Sequence, residues 1–446
     1  MNFTALSGGI PIGGSHYLIE LDGKRLVIDF GAVQRGRVIS APPFASGYID
    51  AILLTHGHFD HVGMLPLFVR EHPETPIYST KVTWRYTRML LGDSLKIAER
   101  KLARGEKVEL AFSAAEMTKS ISLKRFKLVH NSEWFSPWPD WKIRFRSSGH
   151  INGAATIDIV SPSGFRIIHS GDISFSDQPS IKGAKIANDF KSPELLITEA
   201  TYGDRDLPNR EEEKQRLVDK VISVLNHSGK SLIPSFSITG PNIAVIVADG
   251  LARAGVNVPV YVDGMIRTAT RIINGSNEWS SNDNGLVFAD KNIIAVPDDK
   301  GEAYEFRQEI LEGGPSVIIS SHGMLEGGTV MIYLPYILTD YKSAILIPGY
   351  QAEGTSGRRL LELERGSHFP INRQYYPISC EVEKFHLSSH ASGKELSAWI
   401  SEVQPWQVIV THATDSGFVG LKRKINGRQP TIRVIGGYNG QEIRDL

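Results

Sequence analysis

From Tyr17 onward the apolar residues fall in short β-type runs, Tyr17-Leu18-Ile19, Leu26-Val27-Ile28 and Ala51-Ile52-Leu53-Leu54, separated by Gly, Asp and Pro. An interrupted helical pattern spans Val62 to Arg104, and strands are predicted again at Ile143-Arg144-Phe145, Thr156 to Val160, Ile167-Ile168 and Leu195-Leu196-Ile197. This half reads as strands with flanking helices. After Gly203 the spacing changes. Asn209 and Glu212 read as a helix cap ahead of Leu217, Val218, Val221, Ile222 and Leu225, which share one helical face. Strand and helix then alternate through Leu232-Ile233-Pro234, Asn242 to Ala254, Val258 to Tyr261, Val317-Ile318-Ile319 and Ala344 to Ile347, a pattern that predicts a parallel sheet with helical crossovers. The stretch Asn274 to Gly285, rich in Asn and Ser, predicts a surface loop. A last strand, Val408-Ile409-Val410, and a helix from Val419 to Ile425 close the pattern.

A chain of 446 residues is long enough for two or three domains at roughly 150 residues each. Its charge narrows the choice of partners: 49 Lys and Arg against 49 Asp and Glu leave no overall field to hold a polyanion. Nucleic acid would have to be held by local patches. The lone cysteine, Cys380, cannot form an internal disulfide, so a metal site would draw on His and carboxylates. The N-terminal residues lack a basic, then apolar leader, and no run of about eighteen apolar residues occurs. These features predict a soluble cytoplasmic protein without a membrane partner.

The chemistry concentrates in Thr55-His56-Gly57-His58-Phe59-Asp60-His61, directly after the strand Ile52-Leu53-Leu54. So many imidazoles and a carboxylate cannot share a core without a heavy desolvation cost. A helix would send His56 and His58 to different faces, whereas a tight loop can aim alternate residues at two adjacent cations.

These residues resemble the His-x-His-x-Asp-His signature of the metallo-β-lactamase superfamily. Asp29, His150 in Ser148-Gly149-His150 and Asp172 in Ser170-Gly171-Asp172 match further elements in chain order. Within that superfamily the chain is similar to the β-CASP branch, ribonucleases of RNA processing and decay. Thr198-Glu199-Ala200-Thr201-Tyr202-Gly203 matches the first extra motif of the branch, Ser388-Ser389-His390-Ala391 the second and His412 the third. The third motif reads His412-Ala413-Thr414 where the branch usually has His-Gly-Glu. The resemblance implies an α/β fold, a metallo-β-lactamase αββα sandwich in residues 1 to 203 and 376 to 446, with an inserted β-CASP domain on a mostly parallel sheet at 204 to 375.

It also implies roles. One zinc would be held by His56, His58 and His150, a second by Asp60, His61 and His412, with Asp172 shared. Asp29 would brace the metal loop, a hydroxide between the two Zn2+ would attack the phosphodiester, and His390, oriented by Glu199, would protonate the departing oxygen. The implied partner is single-stranded RNA, favoured over DNA by His412, and a homodimer is compatible with it. His386-Leu387-Ser388-Ser389-His390 is similar to the terminal-phosphate pattern of RNase J-like members, whereas Gly323-Met324-Leu325 resembles cleavage-factor-like members, so exonucleolytic and endonucleolytic action both stay open.

Gly-rich turns from Gly323 and Gly349 can offer backbone N–H groups to phosphates. Ser235, Ser321, Gly323, Tyr350, His386 and Ser388 are the candidate RNA contacts, although Ser at strand exits also caps helices. Arg358 and Arg359 fit either an RNA channel or a solvated helix face. Trp134, Trp138 and Trp141 read as loop packing, and His130, His169 and His227 as structural or exposed. A small-molecule metallohydrolase leaves the insertion, Glu199 and His390 unexplained. A non-catalytic RNA-binding scaffold would not need every ligand position filled.

Overall fold

The computed structural model describes residues 1–35, 38–106, 111–185, 190–276 and 292–446. Two seven-stranded sheets face each other. One runs Glu442–Ile443, Asn2–Ser7, His16–Leu21, Lys24–Ile28, Ala51–Leu53, Ile77–Thr80, Phe126–Val129 from edge to edge. The other runs Arg433–Gly436, Gln407–Ala413, Leu195–Ala200, Arg166–His169, Ala155–Val160, Lys142–Ser147, Trp134–Phe135.

Alternation decides which layer each residue enters. Ile19, Leu26, Ile28, Ala51 and Leu53 point inward to meet Ile143, Phe145, Ile157, Ile159, Leu195, Ile197 and Ile409 of the facing sheet. Their neighbours Leu18, Val27 and Ile52 point outward and pack with Leu65, Phe68, Trp84 and Leu91 of the helices Leu65–Glu71 and Lys81–Ala103. On the far side Leu196, Val408 and Val410 pack against Leu396, Ile400 and Leu421, from the helices Gly393–Val403 and Asp415–Arg428. The result is four layers, helix, sheet, sheet, helix, the packing expected of surfaces with one apolar face each. No helix of the described residues is long and apolar enough to cross a membrane.

A third sheet, wholly parallel, has the order Ile293–Ala295, Val260–Asp263, Ser316–Ser320, Lys230–Pro234, Ala344–Ile347, Glu381–Lys384. The cap expected before Leu217 is present: the Asn209 side chain accepts from the Glu211 and Glu212 amides at the start of the helix Arg210–Asn226. Glu381–Lys384 pairs with Ala344–Ile347, so this sheet runs past the expected boundary at 375. A second departure lies in the segment read as interrupted helix, where Ile77–Thr80 forms a strand. Its buried residues bridge Ala51–Leu53 and Phe126–Val129, and that pairing overrides the local helical spacing. Residues 277–285 of the expected surface loop lie outside the described residues. Trp138 and Trp141 pack edge to face and Trp134 covers the Arg144 guanidinium, so these rings pack a loop.

The turn after Lys24–Ile28 is laced to the start of the helix Phe59–Val62. Phe30 N donates to His61 O (2.9 Å), Ala32 N to Phe59 O (3.0 Å) and Gly31 N to Ser15 O (2.9 Å). A Cβ on Gly31 would lie 1.7 Å from the Asp60 carbonyl oxygen, so only glycine allows this approach. Gly31→Ala is expected to destabilise the fold by about 1–3 kcal/mol and to loosen Asp60 and His61. Thermal melts with metal titration check this, and a variant with wild-type melting and metal uptake would refute it.

Candidate metal centre

The first sheet ends its strand Ala51–Leu53 beneath a loop that carries His56 and His58, and the helix Phe59–Val62 then sets Asp60 and His61 in its first turn. Asp29 supports both. Fully buried, with φ of 59°, it accepts from the Thr55 amide (2.7 Å), the Thr55 hydroxyl (2.6 Å) and His61 Nδ1 (2.8 Å). Asp172 leaves the strand Arg166–His169 through a turn held by the Gly171 amide donating to His169 Nδ1 (3.0 Å), which gives the buried His169 a structural role. His412 is the extra residue where the pairing of Leu195–Ala200 with Gln407–Ala413 slips, between the Glu199–Thr411 and Ala200–Ala413 pairs. The bulge turns its ring toward the centre.

Two ligand groups result. His56 Nε2 and His150 Nε2 lie 3.0 and 3.1 Å from His58 Nδ1, and 3.4 and 3.5 Å from Asp172 Oδ2. A tetrahedral ion with bonds of ~2.0–2.1 Å spaces its ligand atoms by ~3.3–3.4 Å, so these atoms fit a cation. In the second group His412 Nε2 and His61 Nε2 lie 3.4 and 3.8 Å from Asp60 Oδ2. His61 Nε2 also lies 3.6 Å from Asp172 Oδ2, which places that oxygen against both groups. The set Asp172, Glu199, His412 falls within the same reach. Glu199, however, is committed elsewhere, accepting from the Ile173 amide (2.7 Å), the Thr201 hydroxyl (2.6 Å) and His390 Nδ1 (2.8 Å).

The outward nitrogens of four ligand rings are also held. His56 Nδ1 meets the Thr55 hydroxyl (3.1 Å), His61 Nδ1 meets Asp29, His150 Nδ1 donates to the Ser389 carbonyl (2.7 Å) and His412 Nδ1 meets the Thr201 hydroxyl (3.1 Å). Thr201 thus supports His412 although Ala413-Thr414 replaces the usual Gly-Glu. Sequence reading missed Thr201, Thr55, Ser389 and Gln178. Gln178 Nε2 donates to the carbonyls of Gly149 and His150 (3.0 and 2.9 Å), and its Oε1 accepts from Ser389 (3.0 Å). Asn242, from the helix Gly240–Arg253, joins this buried set by accepting from the Ser180 amide (2.9 Å).

Burial, and then the crowding of neighbouring rings, holds His56 and His150 far below the usual histidine range, and burial lowers His58 to about 4. All three are neutral, the ligating form. Burial also works against a charge on His61 and His390, but carboxylates overcome it. Asp172, Asp60 and Asp29 raise His61 to about 10, and Glu199 followed by Asp172 raises His390 to about 9. His390 Nε2 stands 3.9 Å from Asp172 Oδ2.

Among the candidate RNA contacts, Ser388 and Tyr350 lie on the His390 side. Ser388 Oγ accepts from the His390 amide (3.3 Å), Tyr350 packs on Tyr202 (6.4 Å between centroids) and Tyr202 on His390 (6.2 Å). The His386 amide donates to Glu213 (2.7 Å), and its side chain is exposed. Ser235, Ser321 and Gly323 instead gather at the carboxyl ends of the third sheet's central strands. There Gly323 packs on Phe236, and Ser321 Oγ accepts from the Met265 amide (3.3 Å). Arg358 pairs with Glu362 one helical turn on, as on a solvated face.

Three family models match the chain: the metallo-beta-lactamase superfamily over residues 9–95, the Beta-Casp domain over 243–360 and the Zn-dependent metallo-hydrolase RNA specificity domain over 375–435. A transcription termination factor FttA of Thermococcus kodakarensis is 30% identical over 457 residues, covering 96% of this chain and 68% of the relative. The FttA of Methanothermobacter thermautotrophicus is 28% identical, covering 90% of this chain and 65% of the relative, so the chain spans about two thirds of these factors. A probable RNase MJ4 of Methanocaldococcus jannaschii is 26% identical, covering 93% of this chain and 94% of the relative. A solved protein of unknown function from Enterococcus faecalis shares the fold across 99% of both chains, with a TM-score of 0.59 and 13% identity.

Asp29→Asn keeps the volume but removes the charge that orients His61 and Thr55. Metal affinity is expected to fall ~10–100-fold, read by competition with a chromogenic chelator. Unchanged affinity would remove Asp29 from its bracing role.

Proposed function

This chain belongs to the β-CASP branch of the metallo-β-lactamase superfamily, and from that premise we propose that it is a zinc-dependent ribonuclease cutting single-stranded RNA between a metal-bearing half and the inserted domain. The carrying observation is the His390–Glu199 pair beside Asp172, an acid and its orienter within reach of a complete ligand set. We take residues 1 to 203 and 376 to 446 as the metal-bearing half, with Glu381–Lys384 returning to edge the sheet of the insertion.

The donors are nitrogen and oxygen with no thiolate, since Cys380, just ahead of Glu381–Lys384, packs among apolar residues of the insertion such as Leu338 and Ile345, and they suit zinc at both groups. His56, His58, His150 and Asp172 would hold one ion, and Asp60, His61 and His412 the other. When bound, such a pair acidifies water and neutralises phosphate oxygens. The rest falls to the chain. Asp29 and Thr55 keep the metal loop from shifting when a polyanion arrives. Glu199 fixes the His390 ring through Nδ1, so the proton on Nε2 faces the scissile phosphate and is given to the departing ribose oxygen. Tyr350, packed on Tyr202, stands on the same side to take a base, and Ser388 shapes the turn beneath.

Zinc-replete protein should carry two ions per chain by elemental analysis, and His58→Ala should lose metal and RNA cleavage together. One ion or none in the wild type would refute the two-metal reading. His390→Ala should keep both ions and RNA affinity while cutting ~10²–10⁴ times more slowly, with Glu199→Gln milder. Normal cleavage by His390→Ala would assign the proton to another donor.

A further inference from the structure

At the end of the first sheet opposite the metal loop lies a cavity of about 910 Å³. The metal loop leaves the carboxyl end of Ala51–Leu53. Pro76 and Arg125, which line the cavity, precede the amino ends of the parallel neighbours Ile77–Thr80 and Phe126–Val129. Five cations, Arg88, Lys119, Lys124, Arg125 and Lys127, line it together with a single carboxylate, Glu74. Among the described residues none of the five has a carboxylate within 4.0 Å. Arg125 donates to the Pro73 carbonyl and Arg88 lies over the Trp84 ring, both neutral partners. In a chain whose formal charge is zero, this is uncompensated positive charge gathered in one place.

A basic stripe joins the cavity to the metal centre. Lys81, Arg85 and Arg88 recur at helical spacing on Lys81–Ala103, about 10 Å from first to last. The first turns of that helix touch both metal-bearing loops. The Thr80 and Thr83 hydroxyls donate to the Gly153 carbonyl (2.8 and 3.0 Å), and a Cβ on Gly57 would lie 2.5 Å from Tyr86 Cβ. Arg85 donates to the Gly275 carbonyl (2.7 Å), at the seam with the inserted domain.

We propose that this cavity is a second binding site for the phosphate backbone of single-stranded RNA, occupied by the stretch that leaves the metal centre along Lys81, Arg85 and Arg88. The identity of the polyanion rests on the ribonuclease reading. No aromatic side chain lines the cavity, so it lacks both the stacking platforms that read bases and the aromatic anchors typical of protein interfaces. It grips phosphates without regard to sequence and favours long RNA over short.

The test replaces the exposed Arg88, Lys124 and Lys127 together by Gln in the zinc-loaded His390→Ala protein and measures fluorescence anisotropy, so that binding is read while cutting is slow. For an oligo(U) of about 25 nucleotides, the triple variant should bind at least ~10-fold more weakly, with the slope of log affinity against log salt shallower by ~2. An oligo(U) of about 6 nucleotides should bind both proteins alike, and Lys124→Arg with Lys127→Arg should behave as wild type. An unchanged slope for the long RNA would overturn the site, as would equal losses for both lengths. Loss of oligoglutamate binding with RNA binding intact would also overturn it, assigning the cavity to an acidic protein. A chain that binds long RNA through these cations yet never cuts it would leave the site standing and sink the ribonuclease reading alone.

Discussion

One carboxylate oxygen organises the centre. Asp172 Oδ2 lies 3.4 to 3.6 Å from nitrogens of His56 and His150 in one ligand group and of His61 in the other. Burying so many imidazoles around two acids costs more than hydrogen bonds among them return, and cations between them offset that cost. Much of the surrounding structure can be understood as holding this arrangement ready. Asp29 holds one side from the first sheet, Thr201 and Glu199 hold the other from the second, and Ser389 and Gln178 fix His150 from the loops between.

The metal segment was legible because His56 to His61 lie together, and their chemistry does not depend on the fold around them. His150, Asp172 and His412 became legible only through family resemblance. Each is a single polar residue after a strand, and nothing local separates it from a turn residue. The oxygen that orients His150 belongs to the Ser389 backbone, and a carbonyl carries no signature in sequence. Asn242 reaches Ser180 across 62 residues, a contact no window of the chain contains. In the fold, alternation located most strands. Ile77–Thr80 escaped because a four-residue strand running straight into a helix cap has no period of its own. Glu381–Lys384 escaped because its polar residues hide an edge strand defined by pairing alone.

The two halves are joined by polar contacts as well as by apolar packing. Asn242 and Arg85 both bind carbonyls or amides across the seam, and Asn242 Nδ2 also donates to Gln178 Oε1 (3.4 Å), whose Nε2 holds the His150 carbonyl. A shift of the inserted domain would therefore reach His150 through Gln178.

The strands Leu195–Ala200 and Gln407–Ala413 lie side by side although the whole insertion separates them, and His412 meets Asp60 across 352 residues. Closing so long a loop is slow, and it comes late when a chain is made from its N-terminus. While the insertion is still being made, Asp60 and His61 are present without His412, and His150 without the Ser389 carbonyl that orients it. Neither ligand group can therefore reach its finished geometry until the strands that follow the insertion have closed onto Leu195–Ala200.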